Sequence, residues 1–286
     1  MVVSLSIIFT LIPAMQAEAK GAKYKAGKRT DYVKDDSGKW RIERVIKYKY
    51  NKKGLLTSKT DTDSDGDVGK TTYTYNKKRK IKTEKTTRNG KKYDSYSYTY
   101  KGNKLKRVTY KEYENGKVAY REVTEYKNNK PKTVYKYHNG RKKYNSKDVY
   151  IYKNGQLAEI KSYDKRKKYV CSDIYTYIGK TKKTMKRVYP NEQPELMEEY
   201  EYVYDGNHLV SEKETDIYSG NVTITEYDKR DNMTRYCITY KGGYTLDDYY
   251  EYKYDKNNRL VEETSKSYED GTLASEEKLV YSDWKK

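Results

Sequence analysis

The chain has 286 residues, with 62 Lys and Arg against 42 Asp and Glu, a net charge of +20. Hydrophobic residues are only 34% of it, and they include 38 Tyr but a single Phe. This leaves too few aliphatic side chains to fill an ordinary two-layer sandwich of this length, and the basic balance points to anionic surroundings or partners.

Residues 2–12 form a short apolar run ended by Pro13, and Ala17-Glu18-Ala19 fits the small-x-small cleavage pattern of a secretory signal. The expectation is a signal peptide over 1–19, with a mature chain from Lys20, although no Lys or Arg precedes the apolar run. Either the true start lies upstream of Met1, or the signal is atypical. Removing Glu18 leaves 62 − 41, or +21. Residues 20–39 read as a leader or linker.

From residue 40 to 286 a Tyr-x-Tyr doublet recurs. The clear copies are Tyr48/Tyr50, Tyr73/Tyr75, Tyr98/Tyr100, Tyr150/Tyr152, Tyr175/Tyr177, Tyr202/Tyr204 and Tyr252/Tyr254, with weaker ones at Thr124/Tyr126, Thr225/Tyr227 and Leu279/Tyr281. The second members are spaced by 25, 25, 26, 26, 25, 27, 23, 27 and 27 residues, which marks about ten tandem units. Alternation before each mark, as in Ile46-Lys47-Tyr48-Lys49-Tyr50, predicts a strand with one packed face. A Gly/Asn turn follows, as in Asn51-Lys52-Lys53-Gly54 or Lys153-Asn154-Gly155, because such turns need positive φ. A second strand restarts at Leu55, Ile81, Leu105, Leu157, Leu209, Met233 or Leu260 and ends at a turn such as Asn89-Gly90 or Asp270-Gly271.

The predicted fold class is all-β: tandem hairpin repeats of ~25 residues forming an elongated antiparallel sheet, single-layered or coiled into an open spiral. Tyrosine rings would supply buried area while their hydroxyls keep polar partners. Lysine stems would cover further apolar surface.

The strings Tyr202-Val203-Tyr204-Asp205-Gly206-Asn207-His208-Leu209 and Tyr252-Lys253-Tyr254-Asp255-Lys256-Asn257-Asn258-Arg259-Leu260 resemble the YD-repeat, or Rhs-like, family of bacterial repeat proteins. The resemblance runs over residues 40–286 and implies a secreted or surface-exposed β-array acting as a shell or adhesive scaffold. Only Asp205, Asp228 and Asp255 keep the Asp after the second Tyr, and five residues after Tyr281 leave no room for a C-terminal toxin.

Asp61, Asp63, Asp65 and Asp67 match the start of a calcium loop, the one cofactor the sequence suggests. The closing Glu is replaced by Thr72 and no helical pattern flanks the run, so an Asp-Gly turn is the competing reading. Cys171 and Cys237 lie several strands apart in this register, so a disulfide requires the sheet to coil back on itself; otherwise both are free thiols. His138 and His208 fall in turn segments. No Gly-x-Ser-x-Gly, His-Glu-x-x-His or CxxC motif appears. The acid pairs Glu198/Glu199, Asp247/Asp248 and Glu262/Glu263 should split across the two sheet faces, which argues against an enzyme.

Lys77-Lys78-Arg79-Lys80 and Lys165-Arg166-Lys167-Lys168 are the candidate polymer-binding clusters. The functional expectation is a secreted, non-enzymatic scaffold that binds an anionic cell-wall or surface polysaccharide, without a membrane span in the mature chain. The alternative is a structural module that docks a protein partner, or itself, through its sheet edge. Nucleic acid carries less weight, because the rings that would stack on bases are needed inside the sheet.

Overall fold

The computed structural model describes residues 25–284, all of them strand, turn or connection. The strands are β1 (Lys28–Lys34), β2 (Trp40–Tyr50), β3 (Leu56–Asp63), β4 (Val68–Tyr75) and β5 (Ile81–Arg88). Then come β6 (Lys91–Lys101), β7 (Lys104–Glu114), β8 (Lys117–Lys127), β9 (Lys130–His138) and β10 (Ser146–Lys153). Next are β11 (Gln156–Asp164), β12 (Tyr169–Ile178), β13 (Lys182–Val188), β14 (Glu195–Asp205) and β15 (His208–Asp216). The last are β16 (Asn221–Tyr227), β17 (Met233–Thr239), β18 (Thr245–Tyr254), β19 (Leu260–Glu269) and β20 (Thr272–Ser282). The doublets occupy the even-numbered strands.

Each strand pairs antiparallel with its neighbours in sequence, and β1 pairs with both β2 and β20. The all-β expectation holds, but the open elongated or spiral sheet does not: the meander closes into a 20-stranded barrel. The seam runs from Lys28 opposite Ser282 to Val33 opposite Glu277. Closure enlists β1, which the sequence reading left in the 20–39 leader because it carries no doublet. Residues 1–24, including the proposed signal peptide, lie outside the described residues.

Closure has a visible cause in the repeat. In eight of the ten doublet strands the register slips by one residue at the second member of the doublet, from Tyr50 opposite Leu56 to Tyr254 opposite Leu260. The unpaired residue is always the one after the residue opposite that second member, for example Thr57, Lys82, Lys106 or Val261. A bulge bends its strand and increases local twist. Repeated at one position around the sheet, it gives a consistent curvature, and ten units close when each turns the wall by ~36°.

The faces differ sharply. On the doublet face Ile46, Val134, Ile160 and Met185 are 1–5% exposed, whereas Ile174, Ile178 and Val203 on the other face are 38–60% exposed. Carboxylates on the doublet face, among them Glu84, Glu122, Glu214 and Glu263, have raised pKa values caused first by burial. Side chains converge on the concave side of a curved sheet and splay on the convex side, so the tyrosine face is the inner wall. Tyrosine hydroxyls bind it together: Tyr75 donates to Leu56 O (2.7 Å), Tyr100 to Ile81 O (2.9 Å) and Tyr252 to Met233 O (2.7 Å).

Backbone contacts join only neighbours in the ring. Twenty strands at ~4.8 Å spacing make a circular wall at least about 30 Å across. The longest described connection is 139–145. On β4 to β6 the outer face is polar, with Lys70, Thr72 and Thr74 on β4, Thr83 and Lys85 on β5, and Ser95, Ser97 and Thr99 on β6.

Candidate functional site

The turns after the doublets all lie at one end of the barrel. Six in succession, from β2–β3 to β12–β13, carry Lys52, Lys53, Lys77, Lys78, Arg79, Lys80, Lys101, Lys104, Lys127, Lys130, Lys153, Lys180 and Lys182, and no acid. Beyond them Asp205, Asp228, Asp231 and Asp255 make the rim mixed in charge.

The last residue of these turns ties them together. Lys80 Nζ donates to Asn103 O (2.5 Å) and lies 5.2 Å from the centre of the Tyr100 ring. Lys130 repeats this with Gly155 O and the Tyr152 ring, at 5.2 Å. Lys104 reaches Asn128 Oδ1 (3.4 Å). Lys80 and Lys130 thus hold their ammonium groups at the rim over a tyrosine ring, a cation–π arrangement. Successive turns are two strands apart, so positive charge recurs about every 10 Å along the arc.

The two sequence-predicted basic clusters are not brought together. Lys77-Lys78-Arg79-Lys80 forms the β4–β5 turn within the arc, whereas Lys165-Arg166-Lys167-Lys168 forms the β11–β12 turn at the opposite end.

The aspartate run has a turn-building role. Asp63 Oδ1 accepts from the amides of Asp65 (3.1 Å) and Asp67 (2.8 Å). Asn51 does the same for Lys53 and Leu55, and Asp255 for Asn257 and Arg259. Asp61 faces Arg44 (3.4 Å), and Asp67 accepts from Asn89 Nδ2 (2.8 Å). Among the described residues no three His, Cys, Asp or Glu side chains gather closely enough to hold a metal ion.

The adjacent acids split across the wall as expected. Glu198 accepts from Tyr200 on the inner face while Glu199 faces Lys182 outside. Glu262 pairs with Lys253 outside, whereas Glu263 has Arg29 near it inside. Cys171 on β12 and Cys237 on β17 are free thiols five strand steps apart. His138 ends β9 beside Tyr120, and His208 begins β15 with Nδ1 3.0 Å from Asp231 Oδ1. The hollow at His208, about 450 Å³ and lined by Asp205, Asn207, Lys229 and Asp231, opens on the mixed part of the rim.

Sequence reading did not single out the inner wall. Tyr98, Tyr96, Tyr110, Tyr120 and His138 form a continuous row across β6 to β9, with ring centres 4.7–6.4 Å apart at each step. Glu84, opposite Tyr96 on β5, is pushed up to about 7 by burial and then by the charge of Asp94, with Lys59 opposing. Its ordinary value is 4.5, so the fold holds a proton on Glu84 that the unfolded chain releases between about pH 4.5 and 7. Stability linked to Glu84 is therefore greatest below pH 4.5 and falls as the pH rises through 7. Glu84→Gln should remove this slope and stabilise the barrel at pH 8 by on the order of 2 kcal/mol, measured by urea titration at pH 5 and 8. An unchanged pH dependence would refute the assignment.

No protein-family model matches the chain, so the YD-repeat resemblance rests on the doublet, turn and leucine strings of the sequence alone. No curated protein matches it either. Among solved structures, the crystal structure of a porin-like protein from Bacteroides uniformis is similar over 90% of this chain and 96% of that one, at 10% identity and a TM-score of 0.35. A likeness that loose carries no statement about function.

Proposed function

We propose that the protein is a secreted or surface-located, non-enzymatic barrel that binds an anionic cell-surface polymer along the basic arc of its rim. The observation that carries this reading is the run of six turns bearing only Lys and Arg. Spaced anionic groups on one polymer chain would meet cations at about 10 Å intervals, and many weak contacts on one rigid rim give avidity without a deep pocket. The sheet-edge alternative loses its premise, because β1–β20 pairing leaves no strand edge among the described residues.

The test is co-sedimentation with isolated bacterial cell walls, and binding to purified poly(glycerol phosphate), across a salt series. Lys52→Glu/Lys77→Glu/Lys78→Glu should weaken binding by at least about tenfold and flatten its salt dependence. Lys165→Glu/Arg166→Glu/Lys168→Glu changes net charge equally at the far end and should cost less than about threefold. Arg79 and Lys167 are spared because their backbones are left-handed (φ 61° and 67°). Equal losses would reduce the effect to net charge, and absence of binding at low salt would end the proposal.

A further inference from the structure

The inner wall repeats one local arrangement with a telling substitution. On β14 an acid and three tyrosines alternate as Glu198, Tyr200, Tyr202 and Tyr204, and Lys183 on β13 stands opposite Tyr200. The Lys183 ammonium lies 3.4 Å from the centre of the Tyr200 ring. Glu212, Glu198 and Glu214 offset part of its desolvation, and Glu198 also accepts from the Tyr200 hydroxyl (2.6 Å). The chain thus encloses one of its own ammonium groups between an aromatic face and carboxylates, the arrangement by which aromatic cages hold alkylammonium ions.

Four repeats earlier the same alternation recurs as Asp94, Tyr96, Tyr98 and Tyr100 on β6. Here Glu84 stands opposite Tyr96, where the other unit has Lys183, and Tyr110 takes the place of Glu214. Tyr96 and Tyr110 rings stand 4.7 Å apart, and Asp94 Oδ1 is buried without a hydrogen-bond partner. The aromatic wall and one carboxylate (Asp94 for Glu198) are kept, Val108 stands where the other unit has Glu212, and the internal ammonium is replaced by another acid.

We propose that the Glu84–Asp94–Tyr96–Tyr110 cluster on the inner wall binds an organic ammonium ion from solution, in the place that Lys183 fills on β13. A hydrated metal ion is the poorer match, since among the described residues no three His, Cys, Asp or Glu side chains gather to hold one. The inference concerns the inner face and is independent of polymer binding at the rim.

The probe is n-butylammonium, the lysine side chain freed of its backbone, titrated at pH 8.5 and low salt by calorimetry. Saturable binding with a Kd of about 1 mM is expected. Glu84→Lys, which supplies the ammonium internally, should weaken it more than about tenfold while preserving the far-UV circular dichroism and melting temperature. Glu84→Gln and Asp94→Asn should each weaken it about fivefold, which keeps the test open should Glu84→Lys fail to fold. Binding should also weaken at pH 6. The groups facing Glu84 are Lys59 from β3, Tyr73 from β4, and Asp94, Tyr96 and Tyr98 from β6, so protonation of Glu84 is the change in charge. Absence of saturation at pH 8.5, unaltered affinity in both Glu84 variants, or equal binding of Mg²⁺ at the same residues would each overturn the proposal.

Discussion

Thr30→Cys/Val280→Cys, in a background with Cys171 and Cys237 replaced by Ala, is expected to form an internal disulfide in nearly full yield on mild oxidation. The two positions are directly opposite across the seam between β1 and β20. Opposed residues of an antiparallel pair have Cα atoms about 4.5–5.5 Å apart, within the range a disulfide spans. In an open array the same residues would sit on the two end strands, 19 steps or ~90 Å apart, and could join only between molecules. A bond closing so long a loop should stabilise the barrel by about 5 kcal/mol on the chain-entropy account. Monomeric product on non-reducing electrophoresis and a higher urea midpoint are the readouts; exclusively intermolecular disulfides would show that the ring is open.

The seam also shows where sequence reading stops. The doublet strands, their alternation and the turns between them were legible because each has a local cause. Asn89-Gly90, Asn115-Gly116 and Asp270-Gly271 occupy left-handed backbone at both residues, as two-residue hairpin turns require. Closure has no such local signature. Every contact links neighbouring units, so the same repeat serves an open spiral or a ring, and the outcome depends on curvature summed over ten units. That curvature comes from bulges whose extra residues, Thr57, Lys82, Ala158 and Val210 among them, share no side-chain type. The closing strand β1 lacks the doublet that identified the others.

The candidate sites divide in the same way. The basic turns were visible, but their separation to opposite ends follows from strand direction: one cluster follows a doublet and the other precedes one. The Asp63 turn uses the same cap as Asn51 and Asn76, so an acceptor for the turn's own amides is one cause of an acid there. Glu84 and Asp94 escaped notice because a carboxylate in a strand ordinarily faces water. Only the inner face of a closed wall desolvates it.

Asp31→Ala should cost about 3–5 kcal/mol, the largest loss expected from a single side chain at the seam. Asp31 is 6% exposed and takes two hydrogen bonds from Arg29, at 2.8 and 2.9 Å. Burial alone would lower the pKa of Arg29, but its hydrogen bonds and charge interaction with Asp31 more than reverse this, so it stays charged. Without Asp31 the part-buried guanidinium would remain at the junction of β1, β2 and β20, with the nearby acid Glu263 one strand beyond. Replacing both partners, as in Arg29→Met/Asp31→Leu, removes the charge together with its counter-charge and should recover most of the loss, as substitutions of buried pairs by apolar residues commonly do. Urea midpoints of the two single variants and the double variant form a thermodynamic cycle. A coupling below about 1 kcal/mol would place Arg29 and Asp31 in water, and hence the seam open.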